Sequence, residues 1–330
     1  MKRSDNRYLI RIYLDHNKWI ELARVDHGRA SGPEKSDVLV LAREARRRGL
    51  ASFPLSDIHY METLQKRDVG ARKRLAQTMA SISQYDAIAP VWQLVPMEID
   101  EALRVRFGRP TSARSVRVFG KGAAHALADA RFDEAKSYQP PGKPALGSRG
   151  RAFFGEMLEF SALSGQGIAE GPKGRTPFED GSSNYHEREK TLVDWFRATG
   201  ASAEQRRVKL AQHTLEDIGA QIVEALDRAG IAIEEFLELG PEGVLDFLSN
   251  LPSRHVEHVL RTLRHENSQH VWKANDLADL GALCSSIPYC DVVVTERHWT
   301  HIVKRAGLDA RYRTKVFSSL EDLRKILIGL

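Results

Sequence analysis

An α/β fold, built on a central parallel sheet and carrying a large, mostly helical insertion, is the class this sequence predicts. Three observations predict it. Strand-like and helix-like segments alternate up to about residue 95, the same alternation returns from about residue 270, and almost no strand signal lies between them. The expected organisation is therefore one domain assembled from residues 1–96 and 270–330, with residues 97–269 as the insertion.

The first strand is read from Arg7 to Leu14, a run of β-branched and aromatic side chains that stops at Asp15. Leu39, Leu41, Ala42 and Ala45 give the next segment an apolar helical face. That helix ends on Arg46-Arg47-Arg48-Gly49, where basic groups complement the C-terminal dipole and glycine permits the stop. Ala51–Leu55 reads as a short second strand, after which Ser56 caps a helix and Leu55 and Tyr60 are spaced as a hydrophobic staple. Ile88–Val95 is expected to be the third strand.

Within the insertion, Val208–Ile231 and Ile233–Leu248 are helical runs, and Ser137–Pro144 is a proline-rich loop. No repeat of fixed period is evident. Asn275 then caps a helix whose stripe is Leu277, Leu280, Gly281, Cys284 and Ile287. Cys290–Thr295 and Lys315–Phe317 follow as short buried strands, which implies a parallel sheet with helices on both faces.

The 330 residues are 42% hydrophobic and 28% charged, enough for a substantial core and incompatible with a mainly disordered chain. No apolar run approaches the roughly 18 residues of a membrane span. No apolar segment follows the charged N-terminus, and two cysteines make no disulfide framework. The expectation is a cytoplasmic protein with no membrane partner. The net charge of +5 is concentrated, because Arg104 to Arg151 contains eight arginines and three lysines against three acids. Such a stretch is suited to tracking phosphates, and the plainer reading is a solvated surface segment.

The acids are placed where chemistry would need them. Asp15 closes the first strand, Glu62 sits at the edge of the stripe of Ile58, Met61 and Leu64, Asp276 and Asp279 occupy the first turn of a helix, and Glu296 ends Val292-Val293-Val294-Thr295. Ligands bind outside the carboxyl ends of parallel strands, so these positions converge. Gathered carboxylates repel unless a cation neutralises them, and an all-oxygen donor set suits Mg²⁺ or Mn²⁺. The structural readings of the same acids are a helix cap for Asp15, a surface glutamate for Glu62 and dipole partners for Asp276 and Asp279.

Tyr13-Leu14-Asp15, Ser56-Asp57-Ile58-His59-Tyr60-Met61-Glu62, Asn275-Asp276 with Asp279, and Pro288 to Glu296 resemble the ordered acids of PIN-domain nucleases. The resemblance covers the first 95 and last 65 or so residues. It implies a PIN-like three-layer α/β/α sandwich, a carboxylate-bound Mg²⁺ or Mn²⁺, and hydrolysis of phosphodiesters by an activated water. RNA is the implied substrate and partner, as for an endoribonuclease of the toxin or antiviral kind, with a protein inhibitor or a second copy of the chain as further candidate partners. The ligands it implies are Asp15, Glu62, Asp279 or Asp276, and Glu296. Spacing to Thr295 favours Asp279, whereas Asp276 lies nearer the apolar stripe of its helix. Arg297 stands where the family commonly has its last aspartate, and most toxin-type members are much shorter.

Lys18, Arg297 and His298 flank these acids as candidate contacts to substrate phosphate. Trp19 and Trp299 could stack on bases, but core packing suits them better. The competing functional reading is a catalytically weak nucleic-acid or protein-binding module that uses the basic 104–151 segment. His255-x-x-His258 and His298-x-x-His301 lack a zinc-site spacing, Gly171–Thr176 lacks that of a phosphate loop, and Cys284 belongs to an apolar stripe.

Overall fold

The computed structural model describes residues 9–29, 33–109, 116–137, 147–166, 177–266, 272–273 and 275–330, with the side chains of 177–183 excepted. Its first elements are β1 (Ile10–Leu14), α1 (His16–Asp26), α2 (Pro33–Arg47), β2 (Ala51–Ser52), α3 (Asp57–Leu64), α4 (Val69–Ser83), β3 (Asp86–Ile88), α5 (Val91–Phe107) and β4 (Phe119–Lys121). Then come α6 (Gly122–Ala126), α7 (Arg131–Ser137), α8 (Ser148–Leu163), α9 (Pro177–Thr199), α10 (Ala203–Ala229), α11 (Ile233–Leu237), α12 (Gly240–Ser249) and α13 (Pro252–Glu266). The last are α14 (Asp276–Tyr289), β5 (Val292–Val294), α15 (Arg297–Arg305), α16 (Leu308–Tyr312), β6 (Lys315–Phe317) and α17 (Leu320–Ile328). The chain is mostly helical around a small parallel sheet, a mixed α/β fold. No described helix is long and apolar enough to cross a membrane.

Two compact units result: Met1–Pro90, Phe119–Glu170 and Tyr289–Leu330 form the first, and Val91–Val118 with Gly171–Pro288 the second. These boundaries differ from 1–96, 97–269 and 270–330. Residues 119–170 join the first unit, since β4 pairs with β3 and α8 packs on α3 and α4. Residues 276–288 join the second, in which Arg264 of α13 grips Asp276 at the start of α14.

In the first unit the parallel sheet runs in the order β2-β1-β5-β6. Ile12, Tyr13 and Leu14 register with Val292, Val293 and Val294, and these with Lys315, Val316 and Phe317. A parallel bridge from Leu55 to Ala87 carries the sheet on toward β3 beyond β2. β1 and β5 are central because both their faces are apolar and covered, as parallel strands require. Ile12, Leu14, Val292 and Val294 point to one face, where they share a core with Trp19 and Leu22 of α1, Val38 and Ala42 of α2, Met79 of α4 and Leu323 of α17. Tyr13, Val293 and Val316 are buried on the other. β6 exposes Lys315 and forms the sheet's edge.

Most expected elements stand. β1 and β2 are shorter than expected, with Arg7 and Tyr8 outside the described residues, as are 138–144 of the expected loop and Gly171–Thr176. The reading of Ile88–Val95 as a strand is corrected. β3 ends at Ile88, and Val91 opens α5, whose Val95, Ile99 and Leu103 are buried together at helical spacing. Within the expected strand the apolar run was too short for its period to show. The antiparallel pair β3–β4 was also not foreseen, because Phe119-Gly120-Lys121 has almost no strand signature.

The second unit is helical. A reciprocal box between Ser202 and Gln205 opens α10, and Gly230, at φ 62°, closes it in the left-handed region that glycine tolerates. Ile218, Ile222 and Leu226 of α10 meet Val95, Ile99 and Leu103 of α5, with Phe236, Phe247 and Leu251 completing the core. A charged group is sealed in the same unit: Glu189 of α9 accepts from Arg261 at 2.5 Å and contacts His265 Nε2 at 2.6 Å, with both Glu189 and Arg261 0% exposed.

Candidate active site at the carboxyl ends of the sheet

β1 has β2 on one side and β5 on the other, and β6 continues away from β5. The connections after β1 and β5 therefore diverge, and a crevice opens between their carboxyl ends at this topological switch point. Asp15 and Thr295 are the residues that immediately follow these two strands.

Asp15 is fastened there by both chain segments. Its backbone N–H extends the ladder to the Val294 carbonyl at 2.9 Å. The side chain caps α1 by accepting the His16 N–H on Oδ1 at 2.7 Å, and Oδ2 accepts the Thr295 hydroxyl at 3.0 Å. Burial raises its carboxyl to about 6 against the lowering effect of these hydrogen bonds, and the charge of Glu296 adds to the rise. Glu296 is exposed at the N-cap of α15 and accepts from Asn17 Nδ2 at 3.0 Å.

Glu62 lies on α3 with its side chain 21% exposed, and its Oε2 stands 3.7 Å from His16 Nδ1. Both ring nitrogens of His16 are buried without a hydrogen-bond partner among the described residues. Burial, then the neighbouring His59 and Lys66, hold His16 well below the usual imidazole range, so it is neutral. Asp57, at the start of α3, is raised to about 6 by burial. Tyr13 reports the common field: burial pushes its phenol up, and Asp15, Asp57 and Glu62 all push it further. Four carboxylates thus share one region of the first unit, Glu296 acting through Asp15.

The wall of this region is built by His59. Its Nε2 donates to the Leu14 carbonyl at 2.8 Å, so Nδ1 is the bare nitrogen that accepts the Ser56 N–H at 2.9 Å. Ser56 Oγ also lies 2.8 Å from the Tyr13 hydroxyl. His16, Asp57, His59 and Thr295 were missed as functional candidates. The signals were the Asp15-His16 adjacency and the position of His59 three residues after the Ser56 cap, but neither type nor spacing alone separates these residues from packing.

The remaining sequence candidates divide. Lys18 is buried and bonds Glu21 at 3.2 Å, so its charge is partly used within α1, although it also steadies Asp15. Arg297 and His298 are exposed in the first turn of α15. Trp19 and Trp299 are core residues, as is Cys284.

Asp276 and Asp279 belong to the second unit. Asp276 accepts from Arg264 Nη2 at 2.5 Å and from the Lys273 N–H at 2.8 Å, so both oxygens are engaged locally. Asp279 is partly buried one turn later, and its charge also acts on Arg264.

The basic 104–151 segment divides between the two units. Several of its charges are paired: Arg104 with Glu101, Arg109 with Glu235, Lys121 with Asp86, Arg131 with Asp129, and Lys136 with Asp133 and Glu159. Residues 110–115 and 138–146 of it lie outside the described residues.

Among the described residues no three His, Cys, Asp or Glu side chains form a group placed to hold a metal ion. The donor chemistry around Asp15 nevertheless fits a hard cation. Asp15, a buried carboxylate disfavoured as an anion, stands beside Glu296, and Glu62 adds a third carboxylate on α3 whose charge also reaches Tyr13. No family model matches the chain, and neither curated proteins nor solved structures give a match.

Proposed function

We propose that the first unit is a PIN-like nuclease domain and that the protein is a metal-dependent nuclease acting on RNA. The observation that carries this reading is the placement of Asp15 at the switch point of the sheet, with its carboxyl raised to about 6 beside Glu296 and within the same field as Glu62 and Asp57. Supporting it is the parallel order β2-β1-β5-β6, which puts Asp15 and Glu296 at neighbouring strand ends.

In this reading Asp15, Glu62 and Glu296 hold Mg²⁺ or Mn²⁺. The chemistry such an ion supplies is a water acidified for attack on phosphorus and partial neutralisation of the phosphate. Thr295 and the His16 N–H fix the two oxygens of Asp15, so the carboxylate presents a set orientation. Neutral His16 offers a buried nitrogen beside Glu62 that can accept or donate one hydrogen bond. His59, locked between Leu14 and Ser56, keeps α3 and Glu62 in register with β1.

The test is cleavage of labelled RNA and DNA panels with Mg²⁺, Mn²⁺ or EDTA, comparing the native chain with Asp15→Asn. Metal-dependent cutting of RNA, lost in the variant, is the expected result. Binding without cutting, unchanged in the variant, would replace the nuclease reading with a binding module.

A further inference from the structure

The first unit has a second feature, a concentration of positive charge beside α1 and α4. The C-terminal half of α1, the segments that follow α1 and α3, and the start of α4 line an open cavity of about 400 Å³. Four cations line it, Arg24, Arg29, Lys66 and Arg74, beside an apolar floor that includes Ile20 and Leu75. Arg74 has only a loose partner, Asp68, at 3.8 Å, and the Asp68 side chain is 69% exposed. Arg24, Arg29 and Lys66 make no side-chain hydrogen bond or ion pair within the described residues.

Two carboxylates offset this grouping only in part, the exposed Asp68 beside Arg74 and Arg29 and Glu62 beside Lys66, so four cations face two anions. Like charges around a cavity with low-dielectric walls repel one another and focus a positive potential into it. Arg24 complements the dipole at the end of α1, but Arg29, Lys66 and Arg74 have no such role. An apolar floor beside a cationic rim suits a ligand with one flat, weakly polar part and one phosphate. The volume falls within the range of about 300–1,000 Å³ usual for small-ligand sites.

We propose that this cavity is a nucleotide-binding site that holds a phosphate between Arg24, Arg29, Lys66 and Arg74 and a base against the Ile20 and Leu75 floor. The ligand is either a free nucleotide or one residue of a strand. The strand form rests on the nuclease reading, since Lys66 follows Glu62 by four residues, just beyond the end of α3; the site itself does not.

Binding is measured on the full chain in EDTA, so that no cleavage enters. The probes are a labelled single-stranded oligoribonucleotide, by anisotropy, and adenosine 5′-monophosphate, by calorimetry. Lys66→Glu and Arg24→Glu are compared with Arg48→Glu, which makes the same charge change at an exposed position outside the cavity. Each cavity variant is expected to weaken binding about tenfold or more and to lower the salt slope by about one, with Arg48→Glu within about twofold of native. Binding of both probes identifies a free-nucleotide site, and binding of the strand alone identifies a strand contact. No binding of either probe, or equal losses in all three variants, overturns the proposal. A failed nuclease reading shows separately, as absent cleavage with this binding intact.

Discussion

His59 donates its Nε2 hydrogen to the carbonyl oxygen of Leu14 at 2.8 Å, and so ties the first turn of α3 to the last residue of β1, one position before Asp15. Both groups are fully buried, the ring is neutral, and its other nitrogen is satisfied by Ser56. The link joins the segment that carries Asp15 to the helix that carries Glu62, beside the contact of the Tyr13 hydroxyl with Ser56 Oγ.

His59→Ala should therefore destabilise the protein by about 2–4 kcal/mol, from a lost ring and an unpaired carbonyl in the interior. Denaturant unfolding at pH 7.5 measures it, and a change under about 1 kcal/mol would contradict the role. The pH dependence has a definite sign. Burial lowers His59 to about 4, so as pH falls below about 6.5 the unfolded chain takes up a proton that the folded chain refuses. Stability is lost between those values, and His59→Ala should show a shallower fall.

For Asp15 the sign is opposite. Its folded value, about 6, exceeds the ordinary carboxylate value, so the unfolded chain releases its proton first and stability declines as pH rises toward about 6. Asp15→Asn should melt higher than the native chain at pH 7.5 in EDTA, and the difference should vanish near pH 3.5. Adding millimolar Mn²⁺ should raise the native melting temperature and leave that of the variant unmoved. Equal shifts in the two proteins would count against Asp15 as a ligand. If cleavage needs the ionised form, its rate should climb through pH 6.

Thr295→Val removes the hydroxyl that Asp15 Oδ2 accepts while keeping the volume. A cost of about 1–2 kcal/mol is expected. Because that bond lowers the Asp15 carboxyl, its titration followed by carboxyl-carbon NMR should move further up in the variant. An unmoved titration would show that Thr295 has only a packing role.

In the second unit, Arg261→Met strands Glu189 in the interior with only His265 beside it. The expected loss is about 3–5 kcal/mol. Pairing it with Glu189→Gln should recover a large part of that loss, and additive losses from the two changes would refute the coupling.

What the sequence displayed follows from how local each signal is. β1 and β5 were legible because their residues are apolar on both faces and each stops at a polar residue, so Asp15 and Glu296 could be placed from the chain alone. Val91–Val95 was not, since a helix and a buried strand look alike over five residues, and the deciding partners, Ile218 and Ile222, lie more than a hundred positions away. The tautomer of His59 depends on Leu14, and the tether on Asp15 depends on Thr295. Both are contacts across the chain that no spacing rule encodes.

The bond from Thr295 to Asp15 spans 280 positions. During synthesis, β1, β2 and β3 emerge early, yet the edge of β1 that receives β5 stays open until β5 has left the ribosome. The second unit, mostly helical and rich in local contacts, can fold meanwhile. A nascent chain that has not yet reached β5 thus holds Asp15 without the hydroxyl that orients it and without Glu296 beside it. The pairing of Asp15 with Thr295 forms only once β5 and the residues after it have been made, and a chain terminated before them never assembles it.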